Sequence, residues 1–190
     1  FLPGFGGQRL QLATKDSELA LAAVRAWNDW HLEDWAGPYP DRVIPCQIPY
    51  MLDPEVGAQE IYKNAERGFK AVTFTEAPHM LGLPSLHTDH WDPFWTACQD
   101  EGTVVCLHIG SSGKLAITAP DAPIDVLINL QPMNIVQAAA DILYSPLVTK
   151  FPGVQIALSE GGIGWIPYFL ERIDHSYKVH KAWTGADFGS

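Results

Sequence analysis

Thr103-Val104-Val105-Cys106-Leu107-His108-Ile109-Gly110-Ser111-Ser112-Gly113 is a short, uncharged, β-rich run that reaches a histidine and then breaks into glycine and serine. Continuous apolar character without polar alternation marks a strand covered on both faces, as in a parallel sheet flanked by helices. The run follows a helical stretch from Asp92-Pro93 to Glu101, closed by Gly102. Helix, glycine break and buried strand together make half of a βαβ unit.

The same unit recurs on both sides. Upstream, Ala71–Thr75 reads as a strand after a helix opened by Asp53-Pro54 and closed by Gly68. Before it, Val43–Ile48 is β-rich but interrupted by Pro45. Earlier still, Ser17 caps a helix whose Leu19, Ala22, Ala23, Ala26, Trp27 and Trp30 recur at three- and four-residue spacing until Gly37-Pro38. Downstream, helical sequence around Ile135–Tyr144 precedes the strand Val154–Leu158, and a last helix runs from about Pro167 towards His180. Phe1-Leu2 reads as the tail of one more strand. Strands alternating with helices predict an α/β fold with a parallel sheet. The loops after strands, Glu76–Trp91 and Gly110–Pro123, are long, whereas helix-to-strand connections such as Glu101-Gly102 are short. That asymmetry is the habit of a (β/α)8 barrel, although a small doubly wound sheet shares it. No linker or repeat divides residues 1–190, so one domain is expected.

Composition narrows the function. Lys plus Arg total 12 against 22 for Asp plus Glu, a formal net charge of −10, which argues against nucleic acid or an anionic membrane as partner. A small-molecule substrate is expected instead, with a homo-oligomer as an open option. The three cysteines, Cys46, Cys98 and Cys106, show no CxxC spacing, so a disulfide framework or thiolate zinc site is not indicated and a cytoplasmic location fits. No apolar run is long enough for a membrane span.

Three places hold candidate chemistry. His108, at the C-terminal end of its strand, reads as a metal ligand or as a core histidine bonded to backbone. Ser159-Glu160-Gly161-Gly162 ends the next strand in the same way, so Glu160 is either a proton-transfer or ligand carboxylate, or an exposed residue in a turn. Parallel neighbours ending alike put both side chains in one pocket. The loop Leu86–Asp92 gathers His87, Asp89, His90 and Trp91, read as substrate lining or as solvated loop residues, with Asp92 before Pro93 equally explained as a helix N-cap. Neither Gly4-Phe5-Gly6-Gly7 nor Gly161–Gly164 matches a dinucleotide or P-loop pattern, and no GxSxG elbow is present.

The passages Trp27-Asn28-Asp29-Trp30 to Tyr39-Pro40-Asp41-Arg42-Val43-Ile44-Pro45, Asp92-Pro93-Phe94-Trp95 with Thr103–Gly110, and Phe151-Pro152-Gly153 to Gly162 with Pro167, Leu170, Arg172 and Asp174 resemble amidohydrolase-related proteins. That group contains aminocarboxymuconate semialdehyde decarboxylase and related aromatic-acid decarboxylases. The resemblance implies a (β/α)8 TIM barrel of which the chain covers roughly strands 2 or 3 to 6. It further implies that His108 ligates a divalent metal, most simply zinc. The family's best-known members end the sixth strand in His-Gly-Gly, where this chain has Glu160-Gly161-Gly162. The family's HxH pair and its eighth-strand Asp have no counterpart here. The expected function is therefore a metal-dependent hydrolase acting on a small, aromatic or carboxylated substrate. Alternatives are a non-oxidative decarboxylase on the same fold and a non-catalytic ligand-binding or structural fragment. A flavodoxin-like nucleotide binder would require a phosphate site at Gly161–Gly164.

Overall fold

A computed structural model describes residues 4–185. The sheet holds β1 (Cys46–Gln47), β2 (Ala71–Thr75), β3 (Val104–His108) and β4 (Ile156–Ser159), paired in sequence order and parallel throughout. The register sets Thr75 beside His108 and His108 beside Ser159, so three strand ends lie level. The expected strand tail at Phe1-Leu2 lies outside the described residues.

Between the strands run α3 (Pro54–Arg67), α4 (Asp92–Glu101), then α5 (Ile124–Leu130), α6 (Asn134–Leu143) and α7 (Leu147–Lys150), with α8 (Ile166–Thr184) after β4. Two helices, α1 (Gly4–Ala13) and α2 (Ser17–Trp30), precede β1. The boundaries of α3 follow from local chemistry. The Asp53 carboxylate accepts from the Glu55 and Val56 amides, Pro54 occupies the first turn, and Gly68 takes the left-handed conformation at φ 109° that ends the helix.

One face of the sheet is dry. Val72, Phe74, Val105 and Leu107 pack against Met51, Ile61, Phe94, Trp95, Ile135 and Leu147. Phe74 is the centre of this layer, edge-on to Trp91 with centroids 5.1 Å apart and stacked on Phe94 at the same separation. Full burial of such rings contributes roughly 1.5–3 kcal/mol each. By strand alternation the opposite face carries Thr73, Thr75, Cys106, His108, Ala157 and Ser159, mostly small side chains.

The structure departs from the sequence expectations in four places. Asp16, not Ser17, caps α2, accepting from the Glu18 and Leu19 amides at 3.0 Å. That helix continues into a π-helical turn (His31–Ala36), which Gly37 closes by donating to Leu32 O. His31 is buried there between Trp27 and Trp35, and burial lowers its pKa. The third departure is α1, unsuspected from its glycines, which buries Gln8 and Gln11. Gln11 earns that position by pairing with the backbone after β1: its amide donates to Pro49 O at 2.8 Å and accepts from Met51 N at 2.9 Å. The fourth is Asp92, which lies inside α4 and accepts from Lys150 at 2.6 Å rather than capping the helix.

The last strand and helix contrast with the rest. Leu158 of β4 is 37% exposed, and α8 has no buried residue, with Tyr168, Leu170, Val179 and Trp183 all facing solvent. No helix among the described residues is long and apolar enough to cross a membrane.

Candidate functional site

His108 is the last residue of β3 and is only 13% exposed. Its Nδ1 lies 2.8 Å from Ile109 O. A carbonyl can only accept, so Nδ1 carries the hydrogen and the neutral ring keeps its lone pair on Nε2. That Nε2 faces Glu160 Oε2 at 3.2 Å. A lone pair and a carboxylate at this separation repel unless a cation lies between them, and either a proton or a metal ion meets the requirement.

Glu160 reaches this position by breaking the strand pattern. Alternation would turn residue 160 to the face opposite Ser159, but its backbone adopts φ 63°, left-handed and unusual for a side chain larger than asparagine. The conformation costs of order 1–2 kcal/mol, and such strain gathers at functional sites. Two contacts hold the turn. Gly161 abuts α6 so closely that a β-carbon there would overlap Ile135 Cγ2. The Trp165 indole N–H donates to Gly161 O at 3.1 Å and to Gly162 O at 3.0 Å. Gly161 therefore serves close packing and Gly162 turn geometry.

The loop residues have different placements. His87 Nε2 pairs with Asp141 Oδ1 of α6 at 2.8 Å and stays half-exposed. Asp141 in turn lines a cleft of about 170 Å³ with Glu76, His79, Lys114, Asn134 and Gln137. His90 packs edge-on to Trp91. Trp91 itself corrects the sequence expectation: it is 1% exposed, donates its indole N–H to Pro84 O at 3.0 Å, and packs on Phe74. Phe74 lies on the helix-covered face, opposite the face that carries His108, so Trp91 belongs to the core and not to a pocket shared with His108. A large ring flanked by polar loop residues still gains more by burial than by lining a cleft.

Sequence reasoning missed two residues. Glu76, directly after β2, is 3% exposed and bonds to Ser111 and Ser112. The strand-end logic that singled out Glu160 applies to it equally. Arg9 of α1 lies against Gly113, where a β-carbon would overlap its guanidinium, and among the described residues it has no carboxylate partner. Only the tertiary fold brings it there. The cysteines are free. A hydrogen bond donated to Cys106 and burial push the Cys46 thiol well above its ordinary range, which suits inert filling.

For a divalent metal the donor chemistry fits, an imidazole nitrogen and a carboxylate oxygen converging at two strand ends. Among the described residues no three His, Cys, Asp or Glu side chains converge. A separate groove of about 750 Å³ lies between α7, the end of α6 and α8, and neither His108 nor Glu160 lines it.

The amidohydrolase family model matches residues 4–186. No curated protein matches the chain. Among solved structures, an amidohydrolase from Mycobacterium avium subsp. paratuberculosis K-10 is 25% identical with a TM-score of 0.71, covering 91% of this chain and 45% of its own. The 5-carboxyvanillate decarboxylase of Novosphingobium aromaticivorans, solved with manganese and 4-hydroxy-3-methoxy-5-nitrobenzoic acid, is 24% identical with a TM-score of 0.65, covering 88% of this chain and 47% of its own. A 2,6-dihydroxybenzoate decarboxylase with bound 2,6-dihydroxybenzoate is 21% identical with a TM-score of 0.63, covering 90% and 53%. This chain thus spans about half the length of these proteins. Matched by the family model through nearly its whole length, and folded as four neighbouring strands of a (β/α)8 barrel, the chain belongs to the amidohydrolase family.

Proposed function

We propose that the protein is a metal-dependent hydrolase acting on a small aromatic or carboxylated molecule, and that His108 is one of its metal ligands. The observation that carries this reading is the His108–Glu160 pair, 3.2 Å apart at two adjacent strand ends. His108, its Nδ1–H engaged by Ile109 O, presents the tautomer a divalent cation takes. A bound divalent ion supplies Lewis-acid polarisation of a substrate oxygen or of water. Glu160, more exposed than His108, takes or returns a proton beside it, or adds a carboxylate oxygen to the ligand set. A carboxylate stands here as the proton carrier where the family's best-known members have an imidazole, so the reaction differs in its proton inventory from one run by a histidine at that place.

A second reading, non-oxidative decarboxylation, has its own support. Arg9 beside Gly113 is a cation suited to a substrate carboxylate. Two of the structural relatives are decarboxylases of aromatic acids. His87 and His90 are proposed as substrate contacts on the loop side of the mouth. Zinc suits a nitrogen and oxygen donor pair, and manganese, present in one relative, is the competing choice. The three free cysteines fit a reducing cytoplasm.

The test is the metal content of the full-length protein. Wild type is expected to hold close to one divalent ion per active site, identified by elemental analysis, and His108→Ala to lose it together with activity. Unchanged stoichiometry and turnover in His108→Ala would sink the assignment. Carbon dioxide release from aromatic acids, against hydrolysis of esters or amides, separates the two reactions.

A further inference from the structure

We propose that Glu76 is the positioning residue for His108, acting through the turn that follows β3. The Glu76 side chain is buried and forms no ion pair with Lys or Arg among the described residues. A buried carboxylate without a cation is tolerated only when several donors surround it. Here three of the four donors come from one dipeptide. Ser112 N–H donates to Oε2 at 2.8 Å and Ser112 Oγ to Oε1 at 2.7 Å, while Ser111 Oγ also donates to Oε2. Thr75 Oγ1 adds a longer bond at 3.3 Å, and the Glu76 amide donates back to Ser111 Oγ at 3.2 Å.

That dipeptide starts three residues after His108. Ser111 N–H donates to His108 O at 3.3 Å and Gly113 N–H to Gly110 O at 2.9 Å, with Gly110 and Gly113 left-handed at φ 71° and 78°. The turn is therefore tied to its own strand at one end and to the end of β2 at the other. Between the ties lies Ile109 O, the acceptor that fixes Nδ1–H and leaves Nε2 for the site. Without Glu76 the peptide planes from 110 to 112 lose their anchor, and the Ile109 carbonyl is free to rotate away from the imidazole. Glu76 follows a different strand from both members of the pair, and both of its carboxylate oxygens accept from the Ser111-Ser112 turn, so its role toward His108 is orientation.

The functional consequence rests on His108 being a metal ligand; the positioning itself does not. The experiment uses the full-length protein as wild type, Glu76→Gln, Ser112→Ala and His108→Ala. Two quantities are read: Mn²⁺ affinity by competition with a chelating dye, and, in metal-free protein at alkaline pH, the His108 ring nitrogen shifts, which report which nitrogen holds the hydrogen. A glutamine cannot accept at both ends, so Glu76→Gln is expected to weaken Mn²⁺ binding by about 10-fold or more, within the 10–100-fold range of outer-shell partners. Its His108 shifts are expected to move from a single tautomer to a mixture. Ser112→Ala should change both quantities in the same direction and by less. Wild-type shifts and affinity in Glu76→Gln, with an unaltered melt, would overturn the proposal. Where Glu76→Gln does not fold, Ser112→Ala decides alone, and wild-type values in it overturn the proposal. If His108→Ala binds Mn²⁺ like wild type, the ligand reading falls while the ring shifts still decide the positioning.

Discussion

The ends of β3 and β4 stand side by side and are built in opposite ways. His108 sits on an unstrained strand, nearly buried, and the turn beyond it is gripped from beneath by a buried carboxylate. Glu160 sits in a left-handed backbone, two-thirds exposed, and its turn is gripped from outside by an indole and by the absence of a side chain at Gly161. The difference matches the tasks proposed for them. A metal ligand needs a fixed lone pair, whereas a proton carrier needs reach into the site and access to water.

Three substitutions press on this contrast. The largest effect is expected from Gly161→Ala, whose β-carbon overlaps Ile135 and must push α6 away from β4. Overpacking of this kind costs about 1–3 kcal/mol, read as a lower urea midpoint. A neutral Gly161→Ala would mean that the β4 end is not held by close packing. Next comes Trp165→Phe, which keeps the ring and removes both donated bonds, for a loss of about 1 kcal/mol in the same assay. The β3 end should not respond: His108 ring signals are expected to be unchanged in Trp165→Phe, and a shift there would show the two turns to be one unit. The smallest effect, and the only gain, is expected from Glu160→Gly. Relief of the left-handed strain, partly offset by a freer unfolded chain, should raise stability by up to about 1 kcal/mol while activity is lost. Retained activity in that variant would remove Glu160 from the chemistry.

What could be read from the sequence was what local chemistry decides. Asp53-Pro54 and Gly68 bound α3 by rules that involve only neighbouring residues, and the apolar runs of β2 and β3 admit little besides buried strands. The level ends of parallel strands set Ser159 beside His108, and the turn that carries Glu160 across to His108 comes one residue later. The rest depends on contacts distant in sequence. Gln8 and Gln11 follow a glycine-rich stretch that gives no sign of a helix, and Gln11 is buried because backbone forty residues on needs partners. Trp91 looks like a pocket residue because its neighbours are polar, yet the space beneath Phe74 takes it. The reversal at Glu160 leaves no mark on composition or periodicity, and the partners of Glu76 lie thirty-five and thirty-six residues away.

The bare surface of α8 has a consequence in time. With no buried residue along its nineteen, its amides are protected from exchange with water by little beyond the helix's own ladder, and in this chain they open by fraying turn by turn. The amides of β2, with every residue buried between paired strands, open only when the sheet itself comes apart. Amide exchange is therefore expected to run on two clocks, a fast one at the last helix and a slow one at the second strand.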